Sequence, residues 1–168
     1  NIIITCVSIL GGHLNIYEGY YILFMAYSGV FKPENPKKYR GDFRNIIYRS
    51  LWERKFMVFC DNNPNILQWG SEEVVIPYRS PIDGRVHRYF VDFNIKIRTK
   101  SGEIKKYLIE IKPKKQTVPP PESKKKTKTY RTNAMTYLKN RAKWEAAKDW
   151  AEDRQMDFMI LTEDHLGV

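Results

Sequence analysis

Two apolar-rich runs, FVDFNIKIRT (90–99) and EIKKYLIEIK (103–112), flank Lys100-Ser101-Gly102 and read as the strands of a hairpin. A glycine closing a three-residue loop takes the left-handed conformation that such hairpins need. With Gly102 in that position, Thr99 pairs with Glu103. Counting back opposes Ile95 to Tyr107, Phe93 to Ile109 and Val91 to Ile111. On the other face Asp92 falls opposite Glu110, and Phe90 opposite Lys112. A two-residue loop would oppose Asp92 to Ile111 and mix both faces, because a one-residue slip turns every side chain over. Apolar matching therefore selects the register that brings two carboxylates together.

Like charges directly opposite each other destabilise a sheet, so this pair calls for a neutralising partner. A hard divalent cation such as Mg²⁺, with Mn²⁺ a plausible substitute, binds oxygen ligands and keeps sites for water and phosphate. Glu110 and Lys112 are two apart on one strand and leave by the same face. The lysine can thus reach a water or phosphate oxygen beside the metal. Taken alone, Glu110 and Lys112 describe an exposed strand edge; the opposed Asp92 turns the balance towards a site.

The rest of the chain arranges itself around this hairpin. Phe31 to Arg40 reads as an extended basic arm, and a helix is expected from about Asp42 to Asp61. Its apolar face would carry Phe43, Ile46, Ile47, Met57 and Val58, with Leu51 and Glu53 at the margins. Asn62-Asn63-Pro64-Asn65 stops it. Val74-Val75-Ile76 is a short β-rich run, Ser80 to Gly84 a turn, and Val86 to about Thr99 the first hairpin strand. After Pro113 a mobile basic loop is expected to Arg131, then a helix from about Thr132 to Glu152 and a last strand, Phe158 to Leu161. The order is helix, three strands, helix, strand.

Asp92 followed by Glu110-Ile111-Lys112 resembles the bipartite signature of the PD-(D/E)xK nuclease superfamily. The resemblance implies an α/β fold of restriction-endonuclease-like type, with a central mixed sheet flanked by helices. It also implies a glutamate from the first helix, and Glu53 in LWERKF stands at the matching position. Val91 replaces the proline of the signature, which is often absent in the superfamily. Longer blocks, among them NPKKYRGDFR, YRSLWERKFM, CDNNPNILQW, VHRYFVDF, KSGEIKKYLIEIKPKKQTVPP and AKWEAAKDWAE, are similar to the head completion nucleases of T-even-type tailed phages. Those are in turn related to the endonuclease subunit of a bacterial transposase. What this implies is a Mg²⁺-dependent deoxyribonuclease acting on double-stranded DNA when filled heads join tails. Its partners would be phage head and neck proteins, and its place the host cytoplasm during assembly or the head–tail neck. The implied roles are metal ligation by Asp92 and Glu110, metal or water positioning by Glu53, and water orientation with charge stabilisation by Lys112. Two alternatives are a non-catalytic DNA-binding structural protein of the phage neck and a junction-resolving or transposase-type endonuclease.

Charge agrees with a polyanionic partner. Lys and Arg number 29 against 19 Asp and Glu, for a formal charge of +10. The candidate phosphate contacts are Lys114, Lys115, Lys124, Lys125, Lys126 and Lys128 in the basic loop, with Lys37, Lys38, Arg40 and Arg44 on the arm. His13, His87 and His165 show no metal spacing, so zinc is not expected. Cys6 and Cys60 are too few for a disulfide framework and point to a reducing, intracellular setting. Glu72 and Glu73 read as a solvated strand edge, with a further ligand as the alternative. Trp52, Trp69, Trp144 and Trp150 read as core or interface. Residues 1–24 contain no Lys or Arg, and Met25-Ala26-Tyr27-Ser28 reads like a natural start. That segment is expected to be upstream read-in, the nuclease domain occupying 25–168, with a genuine extra arm packing on the core as the alternative; Gly11, Gly12, His13, Asn15 and Glu18 interrupt any membrane span.

Overall fold

The computed structural model describes residues 27–123 and 125–167; the expected read-in segment, Met25 and Lys124 lie outside them. The centre is a four-stranded mixed sheet in the order β3 (Ile66–Arg79), β4 (Val86–Arg98), β5 (Ile104–Ile111), β6 (Asp157–Leu161). The first two pairings are antiparallel and the last is parallel. A small antiparallel pair, β1 (Gly29–Phe31) with β2 (Ile46–Tyr48), precedes it. Helix α1 (Leu51–Asn62) and the long α2 (Lys128–Glu152) flank the sheet, and the short α3 (Glu163–Leu166) follows β6. This is the restriction-endonuclease-like α/β architecture that the resemblance implies.

Each helix covers its own side. Phe56, Met57 and Cys60 of α1 pack with Trp69, Phe93, Ile95, Ile97, Tyr107 and Ile109. Ala147 and Ala151 of α2 pack with Ile76, Tyr78, Tyr89, Val91 and Leu108. Tyr107 and Ile109 thus face α1 while Leu108 between them faces α2, so β5 is buried on both faces, as an interior strand should be. Alternation then places Glu110 on the α2 side, where it is 1% exposed.

The hairpin has the expected register: Phe93 opposes Ile109, Ile95 opposes Tyr107, and the Thr99 N–H donates to the Glu103 carbonyl. Gly102 has φ +85°, the left-handed region that the loop requires. The expected pairings of Asp92 with Glu110, Val91 with Ile111 and Phe90 with Lys112 do not form, because the ladder ends at Phe93 and Ile109. Val91 packs on the α2 side and Ile111 on the α1 side. The change falls at Asp92, beside a register shift in β3 between Ser71 and Val74 where Glu72 has φ +56°. An extra residue in one strand of a pair re-aims its neighbours, and such bulges cluster beside functional sites.

Two expected helix starts are corrected. The first helix does not begin near Asp42: residues 46–48 form β2, because Ile46, Ile47 and Tyr48 favour a strand. Ser50 is the N-cap, its hydroxyl accepting the N–H of Glu53, so the helix starts only after it. The expected apolar face changes accordingly. Phe56, Met57, Cys60 and Asp61 are the buried residues of α1, while Phe43, Ile47 and Val58 are exposed. The second long helix begins at Lys128 rather than Thr132, because the Thr127 hydroxyl accepts the Tyr130 N–H and caps it there. The basic segment is shortened again at its start by a 3₁₀ turn over Lys114–Gln116.

Candidate active site

Three side chains converge where the β4–β5 ladder ends. Asp92 Oδ2 accepts the backbone N–H of Ile111 at 2.8 Å, so the carboxylate replaces a ladder hydrogen bond and is fixed by it. Glu110 is held at both oxygens: Oε2 accepts from the Tyr89 hydroxyl at 2.6 Å, and Oε1 lies 2.9 Å from Lys112 Nζ. The same ammonium stands 4.0 Å from Asp92 Oδ2. One cation therefore sits between two carboxylates in a largely desolvated site.

The electrostatics follow from that crowding. Burial, and then the neighbouring charge of Glu110, push the Asp92 carboxyl well above the usual carboxylate range, against the opposing pull of Lys112 and the Ile111 N–H. For Lys112 burial acts to lower the ammonium, but Asp92 and Glu110 together outweigh it and hold it above its usual range. Burial and the Glu110 charge raise the Tyr89 phenol, keeping it a protonated donor. Asp92 Oδ1 accepts no hydrogen bond from the described residues.

Glu53 belongs to the same electrostatic neighbourhood but not to the cluster. Its Oε1 accepts from the Ser50 hydroxyl at 2.9 Å and its Oε2 from the Arg49 N–H at 2.7 Å, so it completes the cap of α1. Its charge is felt by both Asp92 and Lys112. Among the described residues no three His, Cys, Asp or Glu side chains are arranged to hold a metal ion. The convergent carboxylates are the pair, Asp92 and Glu110.

Some of the cations expected to meet phosphate are engaged within the protein. Lys38 is engaged: its Nζ donates to the carbonyls of Asp61 at 2.7 Å and Asn63 at 2.8 Å, closing the C-terminus of α1. Burial lowers its ammonium. Lys114 is engaged too, its N–H bonding Glu163 and its Nζ lying 2.6 Å from Asp164. Lys37, Arg40, Arg44, Lys115, Lys125 and Lys126 are exposed, as is Lys128 at the start of α2. Glu72 pairs with Arg49 at 2.9 Å and Glu73 accepts from the Tyr39 hydroxyl at 3.2 Å, so each carboxylate has a partner of its own. His87 pairs with Asp83, His165 caps α3, and Cys60 is a buried thiol. Trp69 and Trp144 are buried, and Trp52 and Trp150 partly so.

Two residues beside the carboxylate pair drew no notice in the sequence: Tyr89, whose hydroxyl bonds Glu110, and Lys143, whose Nζ lies 5.1 Å from the Tyr89 ring centroid. Tyr89 lies beyond the end of the hairpin ladder, where register counting no longer applies. Lys143 left a weak signal: on a helix it stands one turn before Ala147 and two before Ala151, so it continues the buried alanine stripe.

The family model of the TnsA-like endonuclease N-terminal domain matches residues 63–163, more than half of the chain. The chain belongs to the TnsA-like endonuclease family. The matched span holds Tyr89, Asp92, Glu110, Lys112 and Lys143, and leaves Glu53 before it. The protein named head completion nuclease of Enterobacteria phage T4 is 46% identical over 146 residues, covering 84% of this chain and 95% of that relative. No solved structure matches. In this TnsA-like endonuclease no helix among the described residues is long and apolar enough to cross a membrane.

Proposed function

We propose that this nuclease hydrolyses phosphodiester bonds of double-stranded DNA during phage head completion, with a divalent cation held by Asp92 and Glu110. One observation carries the reading: two desolvated carboxylates share a single lysine, 2.9 and 4.0 Å away, at the frayed end of a hairpin inside the family's own span. Such a set fits Mg²⁺ or Mn²⁺, which take oxygen ligands and need only one or two carboxylates when substrate phosphate and water complete the shell. Glu53 is better placed to hold the start of α1 and add negative potential than to ligate directly.

The bound cation would acidify water and offset charge developing on the phosphate. The protein's own groups do the rest. The Ile111 N–H fixes the Asp92 carboxylate, and the Tyr89 hydroxyl fixes Glu110. Lys112, kept charged by both carboxylates, presents donors to the attacking water and to a non-bridging phosphate oxygen. Exposed Lys115, Lys125, Lys126, Lys128, Lys37, Arg40 and Arg44 supply sequence-independent contacts along the backbone. Phage head and neck proteins would be its partners in the host cytoplasm.

Supercoiled plasmid incubated with wild type and with Asp92→Ala, in Mg²⁺ or EDTA, tests this reading. Cleavage by the wild type in Mg²⁺ alone is expected. Equal cleavage by Asp92→Ala, or by wild type in EDTA, would refute the assignment. No cleavage under any condition would favour a structural DNA-binding role in the neck.

A further inference from the structure

The geometry points to Lys143 as a second lysine of the site, one that grips a DNA phosphate at or beside the scissile bond. This deepens the nuclease reading and rests on it. Lys143 projects from α2 over two aromatic rings, its Nζ 5.1 Å from the centroid of Tyr89 and 5.8 Å from that of Tyr78. Tyr89 is the residue whose hydroxyl donates to Glu110, so the ammonium lies over the ring of a group already bound to a site carboxylate. It interacts electrostatically with Glu110, Asp92 and Lys112.

A solvated surface lysine would not be held this way. Lysine ordinarily buries its stem and keeps its head in water, whereas this head is partly desolvated against ring faces. Among the described residues Lys143 makes no ion pair within 4.0 Å. Cation–π contact offsets part of the desolvation, but two rings do not replace a counterion. Burial lowers the ammonium while Lys112 and Lys139 repel it. A phosphate entering beside Glu110 would supply the missing negative charge. Lys112 reaches the site from the sheet and Lys143 from the helix, so the two lysines would clamp the phosphate from two sides.

The test compares Lys143→Met, which keeps the length of the stem over the tyrosines, with Lys143→Arg, which keeps the charge. Binding of a short DNA duplex is measured against salt in EDTA, and single-turnover cleavage is measured with Mg²⁺ at saturating DNA. Losing one phosphate contact should flatten the slope of log K against log salt by about 0.9 in Lys143→Met. Its cleavage rate should fall about a hundredfold, as when one preorganised donor is removed. Lys143→Arg should keep the slope. Circular dichroism and melting of each variant establish that it is folded, and Lys143→Gln replaces Lys143→Met if the latter is not. A folded variant with the wild-type slope overturns the proposal, whatever its rate. If the slope flattens but wild type never cleaves, the phosphate contact stands and the nuclease reading fails.

Discussion

Lys112→Met removes the only cation within 4.0 Å of both Asp92 and Glu110 among the described residues. Taking one partner from a fully buried ion pair costs about 3–5 kcal/mol, because the remaining charge is left uncompensated. The Lys112 side chain is 26% exposed, so water can enter the gap, and the lower end, about 3 kcal/mol, is expected. For a domain of this size that is about 6–12 °C in melting temperature. The loss should depend on pH in a definite direction. Asp92 is already raised by burial and by Glu110, and Lys112 is among the groups that oppose this, so the variant raises it further. A carboxyl raised in the folded state binds its proton more tightly there than in the unfolded chain. Stability therefore falls as pH climbs from the ordinary carboxylate range through the folded value, and the deficit against wild type is largest at neutral pH and smallest in acid. A divalent cation supplies the missing charge, so Mg²⁺ should raise the variant's melting temperature more than that of wild type. Urea melts across pH, with and without Mg²⁺, measure all of this. A variant as stable as wild type at pH 7, or a deficit that does not shrink in acid, would refute the electrostatic account.

Tyr89→Phe deletes the hydroxyl that holds Glu110 Oε2; leaving that buried oxygen unpartnered should cost about 1–3 kcal/mol and slow cleavage without altering the salt dependence of DNA binding. An unchanged single-turnover rate would show that Glu110 does not need this support. Ser50→Ala removes the cap of α1 and should cost about 1 kcal/mol in a thermal melt, while freeing Glu53 Oε1. Complete loss of cleavage in this variant, with the fold intact, would give Glu53 a larger part than the geometry does. Changing Lys125, Lys126 and Lys128 to Gln should weaken duplex binding evenly across sequences and flatten its salt dependence, with the rate at saturating DNA little changed. An undiminished salt slope would shift the binding surface to Lys37, Arg40 and Arg44.

What could be read from the sequence follows the range of the forces involved. The hairpin register was legible as far as Phe93 and Ile109 because apolar residues match across the loop and Gly102 pins it. It pointed to Asp92, Glu110 and Lys112, although the three meet beyond the end of the ladder rather than as the cross-strand pairs expected. Residues 42–48 misled because Phe43, Ile46 and Ile47 fit a helical wheel as well as a strand; Ser50 followed by Glu53 was the local cue to the true start. Thr127 was the corresponding cue for α2. Val91 could not be placed, since the reversal at Asp92 depends on a bulge in β3, a different strand. Lys38 and Lys114 were counted as free cations because nothing in their own segments reveals the Asp61 carbonyl or the Asp164 carboxylate that engage them. Tyr89 reaches Glu110 from β4 beyond the end of the β4–β5 ladder, and Lys143 is brought over the Tyr89 ring only by the packing of α2 against the sheet.

The central claim is that Asp92 and Glu110 together bind a divalent cation, and calorimetric titration of Mn²⁺ into the DNA-free protein tests it most directly. Wild type should bind, and both Asp92→Asn and Glu110→Gln, which keep shape and remove one charge each, should lose that binding while remaining folded. Binding of the same strength to the Asp92→Asn/Glu110→Gln double variant would contradict the account.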